Sequence, residues 1–196
     1  MNFHVTISGE SPLLMHNGSA ALDTRSPISR EIAALAAKHG RNRTEADEDR
    51  LRELHCLRSF WLDEEGALTI PATAVRACIE GGARKRKQGP QVRSGLVVLK
   101  TAFKYDQIKY GNTLEELARS TQFVVPVVVN RARILRTRAK FDPPWLCMFE
   151  IDVDEGLIDR SQISEWLDIA GRQIGLGDWR PQTSGTFGRF TVNAIE

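Results

Sequence analysis

Hydrophobic and polar residues alternate at both ends of the chain, which is the pattern of a half-buried β-strand. Near the N-terminus, Phe3, Val5 and Ile7 fall on one side of residues 2–8, and RFTVNAI closes the chain in the same way. Two further segments predict strands, the first interrupted by a proline that indicates an edge or a bulge: QFVVPVVVNRARILRTRAK and WLCMFEIDV.

Helical spacing of apolar residues appears between these strand segments. Ser26-Pro27 is a favourable helix start and opens a predicted helix over 27–38, and a second helix is predicted over 47–61. Both stand as an insertion after the first strand. A late helix is predicted over DRSQISEWLDIAGRQIG, where one face carries Ile163, Leu167, Ala170 and Ile174.

A third helical pattern follows a short strand that ends at Pro71. Thr73 is predicted to cap this helix, whose apolar face is Val75, Cys78 and Ile79. We expect it to fray at Gly81-Gly82 and to lead into a basic loop, ARKRKQGPQVRSG. Periodicity does not decide whether the next segment, LVVLKTAFKY, is helix or strand.

The order of these elements predicts an α+β fold. Strand, insertion, helix, strand, strand, helix, strand is the split βαβ order of ferredoxin-like domains, in which both helices cover one sheet face. RNA-recognition domains bind through the other face. We predict a single domain over 1–196, with a helical insertion at 17–60 and a basic insertion at 82–120.

Composition adds the class of protein. With 196 residues, 41% hydrophobic and 27% charged, the sequence is that of an ordinary globular protein. No apolar run approaches the roughly 18–20 residues of a membrane span, and the N-terminus lacks the basic and apolar regions of a secretory signal. Three widely spaced cysteines fit a reducing compartment, so we expect a cytoplasmic protein.

The net charge of +2 conceals a strong segregation of charge along the chain. Residues 76–140 hold fifteen Lys/Arg against four Asp/Glu, a net charge of +11. Residues 1–75 carry −3 and residues 141–196 carry −6. A basic segment of this length is the usual footprint of a polyanion site, although a solvated basic surface would have the same composition.

Two stretches of the basic segment are candidates for phosphate contacts. The first is Arg84-Lys85-Arg86-Lys87 with Arg93, Lys100 and Lys104 nearby. The second is NRARILRTRAK, whose arginines fall into two pairs. In an extended strand, one pair points to one face and the other pair to the opposite face, unless a bulge intervenes. These pairs are Arg131 with Arg133, and Arg136 with Arg138.

A glycine-rich loop, GLGDWRPQTSGTFGRF (175–190), separates the late helix from the last strand. One glycine suffices to end a helix, whereas this loop has four, so we interpret it as a contact loop. Glycines allow a backbone to approach a phosphate or another backbone closely. Arg180 and Arg189 add charge, and Trp179 offers a face for stacking on a base.

Several of these motifs together resemble the RAMP superfamily, and most of all the backbone subunit of CRISPR effector complexes or a phage-encoded relative of it. Ser11-Pro12-Leu13-Leu14 is similar to the turn after that family's first strand. IPATAVRACIE (70–80) resembles its Ile-Pro-Gly-Ser-Ser-Leu-Lys-Gly-Ala-Leu-Arg signature, with Arg76 at the Lys position and Glu80 at the Arg position. The loop at 175–190 resembles its glycine-rich loop. The resemblance covers most of the chain outside 17–60.

The resemblance and the charge together predict a non-catalytic protein that binds single-stranded nucleic acid, RNA in preference to DNA. Basic side chains would follow the backbone with little sequence preference. The resemblance also implies head-to-tail self-association along the strand, or a place in a ribonucleoprotein complex. The residues predicted to bind nucleic acid are Arg76, Arg84, Lys85, Arg86, Lys87, Arg93, Arg131, Arg133, Arg136, Arg138, Gly177, Trp179, Arg180, Gly185, Gly188 and Arg189.

Signals for catalysis, metals and cofactors are weak. The Cys and His residues lack zinc-ligand spacing, and Glu150, Asp152 and Asp154 are interpreted as a polar outer strand face. We predict no metal site and no cofactor. Two alternatives stay open: a metal-independent RAMP-type endoribonuclease with His16 as acid/base, and a phage-encoded mimic of a CRISPR subunit that acts through protein contacts.

Overall fold

A computed structural model describes the backbone of residues 1–38, 42–129 and 132–196, and the side chains of these except 127–129 and 132–134. The chain divides into two compact units. Unit 1 comprises Met1–Leu14, Trp61–Tyr105 and Phe141–Glu196, and unit 2 comprises Met15–Phe60 and Asp106–Lys140. The elements are, in chain order, β1 (Asn2–Gly9), β2 (Leu13–Met15), α1 (Gly18–Leu22), α2 (Pro27–Ala36), α3 (Glu45–Leu57), α4 (Ala72–Arg84), α5 (Gly89–Gly95), β3 (Leu96–Lys104), α6 (Gln107–Tyr110), α7 (Leu114–Ser120), β4 (Gln122–Val129), β5 (Ala132–Phe141), β6 (Leu146–Val153), α8 (Arg160–Ile169), a π-helical turn (Ala170–Ile174), a 3-10 turn (Pro181–Thr183) and β7 (Phe190–Ile195).

Unit 1 is built on a four-stranded sheet with the order β3-β6-β1-β7, and all its pairings are antiparallel. The predicted alternation is confirmed, because Phe3, Val5 and Ile7 are all buried. Periodicity does not decide the conformation of LVVLKTAFKY. In the structure it forms strand β3, which pairs with β6. Helices α4 and α8 pack against each other. The fold class is therefore α+β.

The prediction that α4 frays at Gly81-Gly82 is wrong. The helix continues through Arg84, and a further short helix, α5, occupies most of the expected basic loop. A Cβ at Gly82 would collide with the backbone carbonyl of Trp166 in α8, and one at Gly81 would crowd Ile174. The two glycines thus allow close helix packing. The N-cap is Pro71 rather than the predicted Thr73.

Unit 2 contains the two helices predicted over 27–38 and 47–61, and α2 and α3 confirm them as helices. Their apolar faces meet in a small core around Ile32, Leu51 and Leu54. A capping box begins α3, where Thr44 accepts from the backbone of Asp47 and the Asp47 carboxylate accepts in return.

Strands β4 and β5 form an antiparallel pair in unit 2, and β4 is an edge strand, as Pro126 predicted. Polar contacts fix α3 to its neighbours. The buried Cys56 thiol lies 3.3 Å from the Thr121 hydroxyl, and Arg119 donates to the nearly buried carboxylate of Glu53 at 3.0 Å. Within the described residues, no helix combines the length and the apolarity needed to span a bilayer.

Candidate functional site

Two carboxylates of unit 1 pair with the arginines of the basic cluster at the end of α4. Arg84 and Arg93 both donate to one oxygen of Glu80, at 2.6 Å and 3.2 Å, and the Glu80 side chain is only 13% exposed. Arg86 lies 2.6 Å from Glu165 of α8. Three of the arginines predicted to contact phosphate therefore hold intramolecular partners, whereas Lys85 and Lys87 are exposed.

Arg76 occupies the position at which the resemblance implied a basic contact. Its Nε donates to the Leu96 carbonyl at 3.1 Å and its Nη2 to the Arg93 carbonyl at 2.8 Å. These bonds fasten α4 to the end of α5 and the start of β3. Arg76 therefore stabilises the packing of α4 within unit 1.

The glycines of the 175–190 loop approach the chain's own backbone. Gly177 and Gly188 have positive φ values of 79° and 68°. A Cβ at Gly188 would collide with the Leu176 carbonyl, one at Gly185 with the Trp179 carbonyl, and one at Gly177 with the Leu14 carbonyl. Internal packing is thus a sufficient reason for glycine at these three positions.

Three side chains of this loop were predicted to touch a ligand. Trp179 is 38% exposed, with its ring centroid 6.3 Å from that of Phe187. Arg180 donates to the Gly177 carbonyl at 3.0 Å, and Arg189 lies 3.7 Å from Glu10. The tryptophan ring therefore presents a partly exposed surface, while both arginines have partners within unit 1.

Of the two predicted arginine pairs at β5, the structure describes the side chains of one. Arg136 and Arg138 lie on one side of the strand, partly buried, with the buried Thr137 between them. Arg131 lies outside the described residues. Arg133 belongs to β5, paired with Val128 of β4, but its side chain lies outside the described part of the chain.

Arg136 and Arg138 line a cleft that lies entirely within unit 2. We call it the arginine cleft; it encloses about 150 Å³. Of the described residues that line it, none carries a carboxylate. They are His16, Asn17, Ala21, His55, Arg58, Ser59, Arg136 and Arg138.

The walls of the arginine cleft are held by hydrogen bonds at the end of α3. The Ser59 hydroxyl donates to the Cys56 carbonyl at 2.7 Å and accepts from the Ala139 amide of β5 at 2.9 Å. The Asn17 side chain donates to the Phe60 carbonyl at 3.0 Å. The last turn of α3, the start of α1 and β5 are thereby fixed together, so the cleft is preformed.

The electrostatics of the cleft depress the pKa of His55. Burial contributes most, followed by the charges of Arg58, Arg136 and Arg138, and the pKa falls to about 4. The ring is neutral at pH 7. Arg58 Nη2 lies 3.2 Å from His55 Nδ1. Because a guanidinium only donates, Nδ1 is the acceptor and Nε2 carries the ring proton.

Arg58 experiences the same field. Burial, and then the charges of Arg136 and Arg138, lower its pKa. Positive groups held this close, with no carboxylate among the described lining residues, disfavour one another, and a bound anion would relieve the repulsion. The chemistry that this arrangement supports is therefore the binding of an oxyanion by guanidinium groups.

The tertiary structure brings together residues that the sequence left apart. His16 was singled out as a possible acid/base, and Arg136 and Arg138 as phosphate ligands; all three line the arginine cleft. His55 and Arg58 were missed. Their only signal was the spacing of three residues at a helix end, which places two side chains on one face.

Other groups in the described residues give little sign of catalysis. Burial raises the pKa of Cys56 to about 11 and that of Cys78 and Cys147 to about 12, so each thiol stays protonated at neutral pH. Among the described residues, no three His, Cys, Asp or Glu side chains lie where they could share a metal ion.

The sheet face of unit 1 opposite its buried side also forms a shallow groove of about 500 Å³. Its lining includes Lys100 and Glu150, so positive and negative groups are both present. This mixture makes the groove a weaker anion site than the arginine cleft.

No protein-family model matches the sequence, and no curated protein matches it either.

Proposed function

We propose that this protein binds single-stranded nucleic acid, RNA in preference to DNA, without cleaving it. The observation that supports the proposal is the arginine cleft, where three guanidinium groups meet and the described lining offers no carboxylate. Guanidinium groups bind phosphate oxygens in a bidentate manner, so this is the chemistry of a phosphate site. Self-association and a place in a ribonucleoprotein complex are proposed from the RAMP resemblance.

We also propose that unit 1 is a ferredoxin-like domain of RAMP type. The strand order β3-β6-β1-β7 supports this, because it places the first and third sheet strands in the centre. In chain order, α4 lies between β1 and β3, and α8 lies between β6 and β7. That is the order of a split βαβ unit with a helical insertion after the first strand.

Fluorescence anisotropy with a labelled single-stranded RNA tests the proposed function. The variants Arg58→Gln and Arg136→Gln should weaken binding similarly for unrelated sequences, because phosphate contacts carry no base information. Arg52→Gln is the matched control, since Arg52 lies on α3 and pairs with the exposed Asp49. Binding that is equally strong in all three variants would reject the arginine cleft as the nucleic-acid site.

The second candidate is a metal-independent endoribonuclease, favoured by the presence of His16 and His55 in one cleft. Such a reaction needs one group to accept the 2′-hydroxyl proton and one to protonate the leaving 5′-oxygen, giving a 2′,3′-cyclic phosphate. His55 is neutral, but its unprotonated Nδ1 accepts from Arg58, so it could take the proton only after that contact is broken. Incubation of labelled RNA in EDTA is decisive: cleavage that is lost in both His16→Ala and His55→Ala would establish this activity, and intact RNA would exclude it.

A further inference from the structure

The arginine cleft is too small to follow a nucleic-acid strand. Pockets that enclose drug-sized ligands measure about 300–1,000 Å³, whereas this cleft encloses about 150 Å³. A nucleoside monophosphate belongs to the drug-sized group. The cleft therefore suits one compact group, and an elongated backbone would have to pass across its opening.

The charge of the cleft exceeds what one internal phosphate of a nucleic acid would offset. Arg58, Arg136 and Arg138 each contribute a positive charge. A phosphodiester carries one negative charge, whereas a phosphate monoester carries about −1.5 to −2 at pH 7 and has three acceptor oxygens. A dianionic group matches three guanidinium groups better in both charge and hydrogen-bonding capacity.

We propose that the arginine cleft binds the terminal phosphate monoester of a single-stranded oligonucleotide. This inference rests on the proposed function and specifies which part of the ligand enters the cleft. Arg58 and Arg136 contact the phosphate oxygens. His55 accepts from Arg58 through Nδ1, which orients the guanidinium, and its protonated Nε2 remains available as a donor.

The arginines around the end of α4 differ from those of the cleft, because they already contact carboxylates. Arg84 and Arg93 share Glu80, and Arg86 pairs with Glu165, so two carboxylates offset part of the charge of these three arginines. A dianion would have to compete with those carboxylates. Selectivity for a terminal phosphate is therefore assigned to the cleft of unit 2 and not to the basic segment of unit 1.

The test compares three RNAs of one sequence with the same internal fluorophore: one with a 5′-phosphate, one with a 3′-phosphate and one with hydroxyls at both ends. One terminal phosphate should tighten binding about tenfold or more, as expected for an added charge-assisted interaction. Which RNA gains shows which end is bound. The preference should vanish in Arg136→Gln and persist in the control Arg52→Gln.

Different outcomes separate this inference from the proposed function. Equal affinity of all three RNAs, weakened together in Arg136→Gln, would overturn the terminal-phosphate assignment and leave the nucleic-acid proposal standing. A preference that survives Arg136→Gln would place the terminal phosphate elsewhere. Absence of binding by every RNA would overturn both. If Arg136→Gln does not fold, Arg136→Lys replaces it in the test. Lysine keeps the charge but loses the bidentate donor geometry of arginine, so this variant should retain part of the preference for a terminal phosphate.

Discussion

His55 has an environment that makes it a reporter of the arginine cleft. Its folded pKa of about 4 lies below the unfolded value, so the unfolded chain binds more protons between about pH 4 and 6.5. Folding stability is therefore lost as pH falls through that window. The loss follows from burial and from the three neighbouring arginines.

We predict that His55→Asn reduces this acid sensitivity. Between pH 7 and pH 5, the free energy of unfolding should fall less in the variant than in the unmodified protein, because the group that must stay neutral is gone. Urea unfolding at the two pH values measures this. His4→Asn, at an exposed position on the sheet of unit 1, is the control and should keep the original dependence. Identical pH dependence in all three proteins would show that His55 is not held neutral.

We also predict that inorganic phosphate raises the pKa of His55. A bound anion offsets the field of Arg58, Arg136 and Arg138, which are among the causes of the depression. The NMR titration of the His55 ring, with and without phosphate, should show the midpoint moving upwards. If the titration midpoint of His55 is unchanged at saturating phosphate, the anion does not enter the arginine cleft.

At the scale of secondary-structure elements, the glycine loop and α4 carry glycines at positions where a Cβ would collide with neighbouring backbone. Gly188 combines a positive φ with a close carbonyl, and Gly82 lies against the backbone of α8. The four glycines of the loop by themselves predict a contact loop for a ligand. Its close approaches within unit 1 also predict effects on stability.

We expect Gly188→Ala to lower the free energy of unfolding by more than about 2 kcal/mol, through strain at positive φ and collision with the Leu176 carbonyl. Gly18→Ala is the control, because an added Cβ there meets nothing within 4 Å. Denaturant unfolding of both variants gives the comparison. Near-equal stabilities would show that the loop can move aside.

At the scale of the whole molecule, the excess of positive charge in residues 76–140 divides into two kinds. Around α4 it is offset in part by Glu80 and Glu165, and in the arginine cleft no described lining residue carries a carboxylate. Only arginines that release counterions from nucleic acid should affect the salt dependence of binding. Net charge along the sequence does not distinguish the two kinds.

The salt dependence of RNA binding tests this division. The slope of log affinity against log salt is negative. Each cleft arginine that is replaced should reduce its magnitude by about 0.7. The double variant Arg84→Ala/Arg86→Ala should change the slope by less than one such contact. Anisotropy titrations over a range of salt concentrations measure both slopes. A larger change of slope in the double variant would show that Arg84 and Arg86 of unit 1 contact phosphate.

The sequence by itself determined the α+β class, the strand at Phe3–Ile7 and the helices α2 and α3, because these depend on local periodicity and backbone chemistry. It restricted Pro126 to an edge or a bulge, and the structure shows an edge. It also placed Arg136 and Arg138 on one face of their strand by parity, which the structure shows.

Only the tertiary structure decided which charges meet. Glu165 lies 79 residues from Arg86, and Arg136 lies 78 residues from Arg58, so neither relation has a local signal. The helix through Gly81-Gly82 likewise depends on the α8 backbone, which makes glycine favourable where local propensity predicts an end. Whether a basic residue is a paired surface charge or part of an anion site is fixed by neighbours that are distant in sequence.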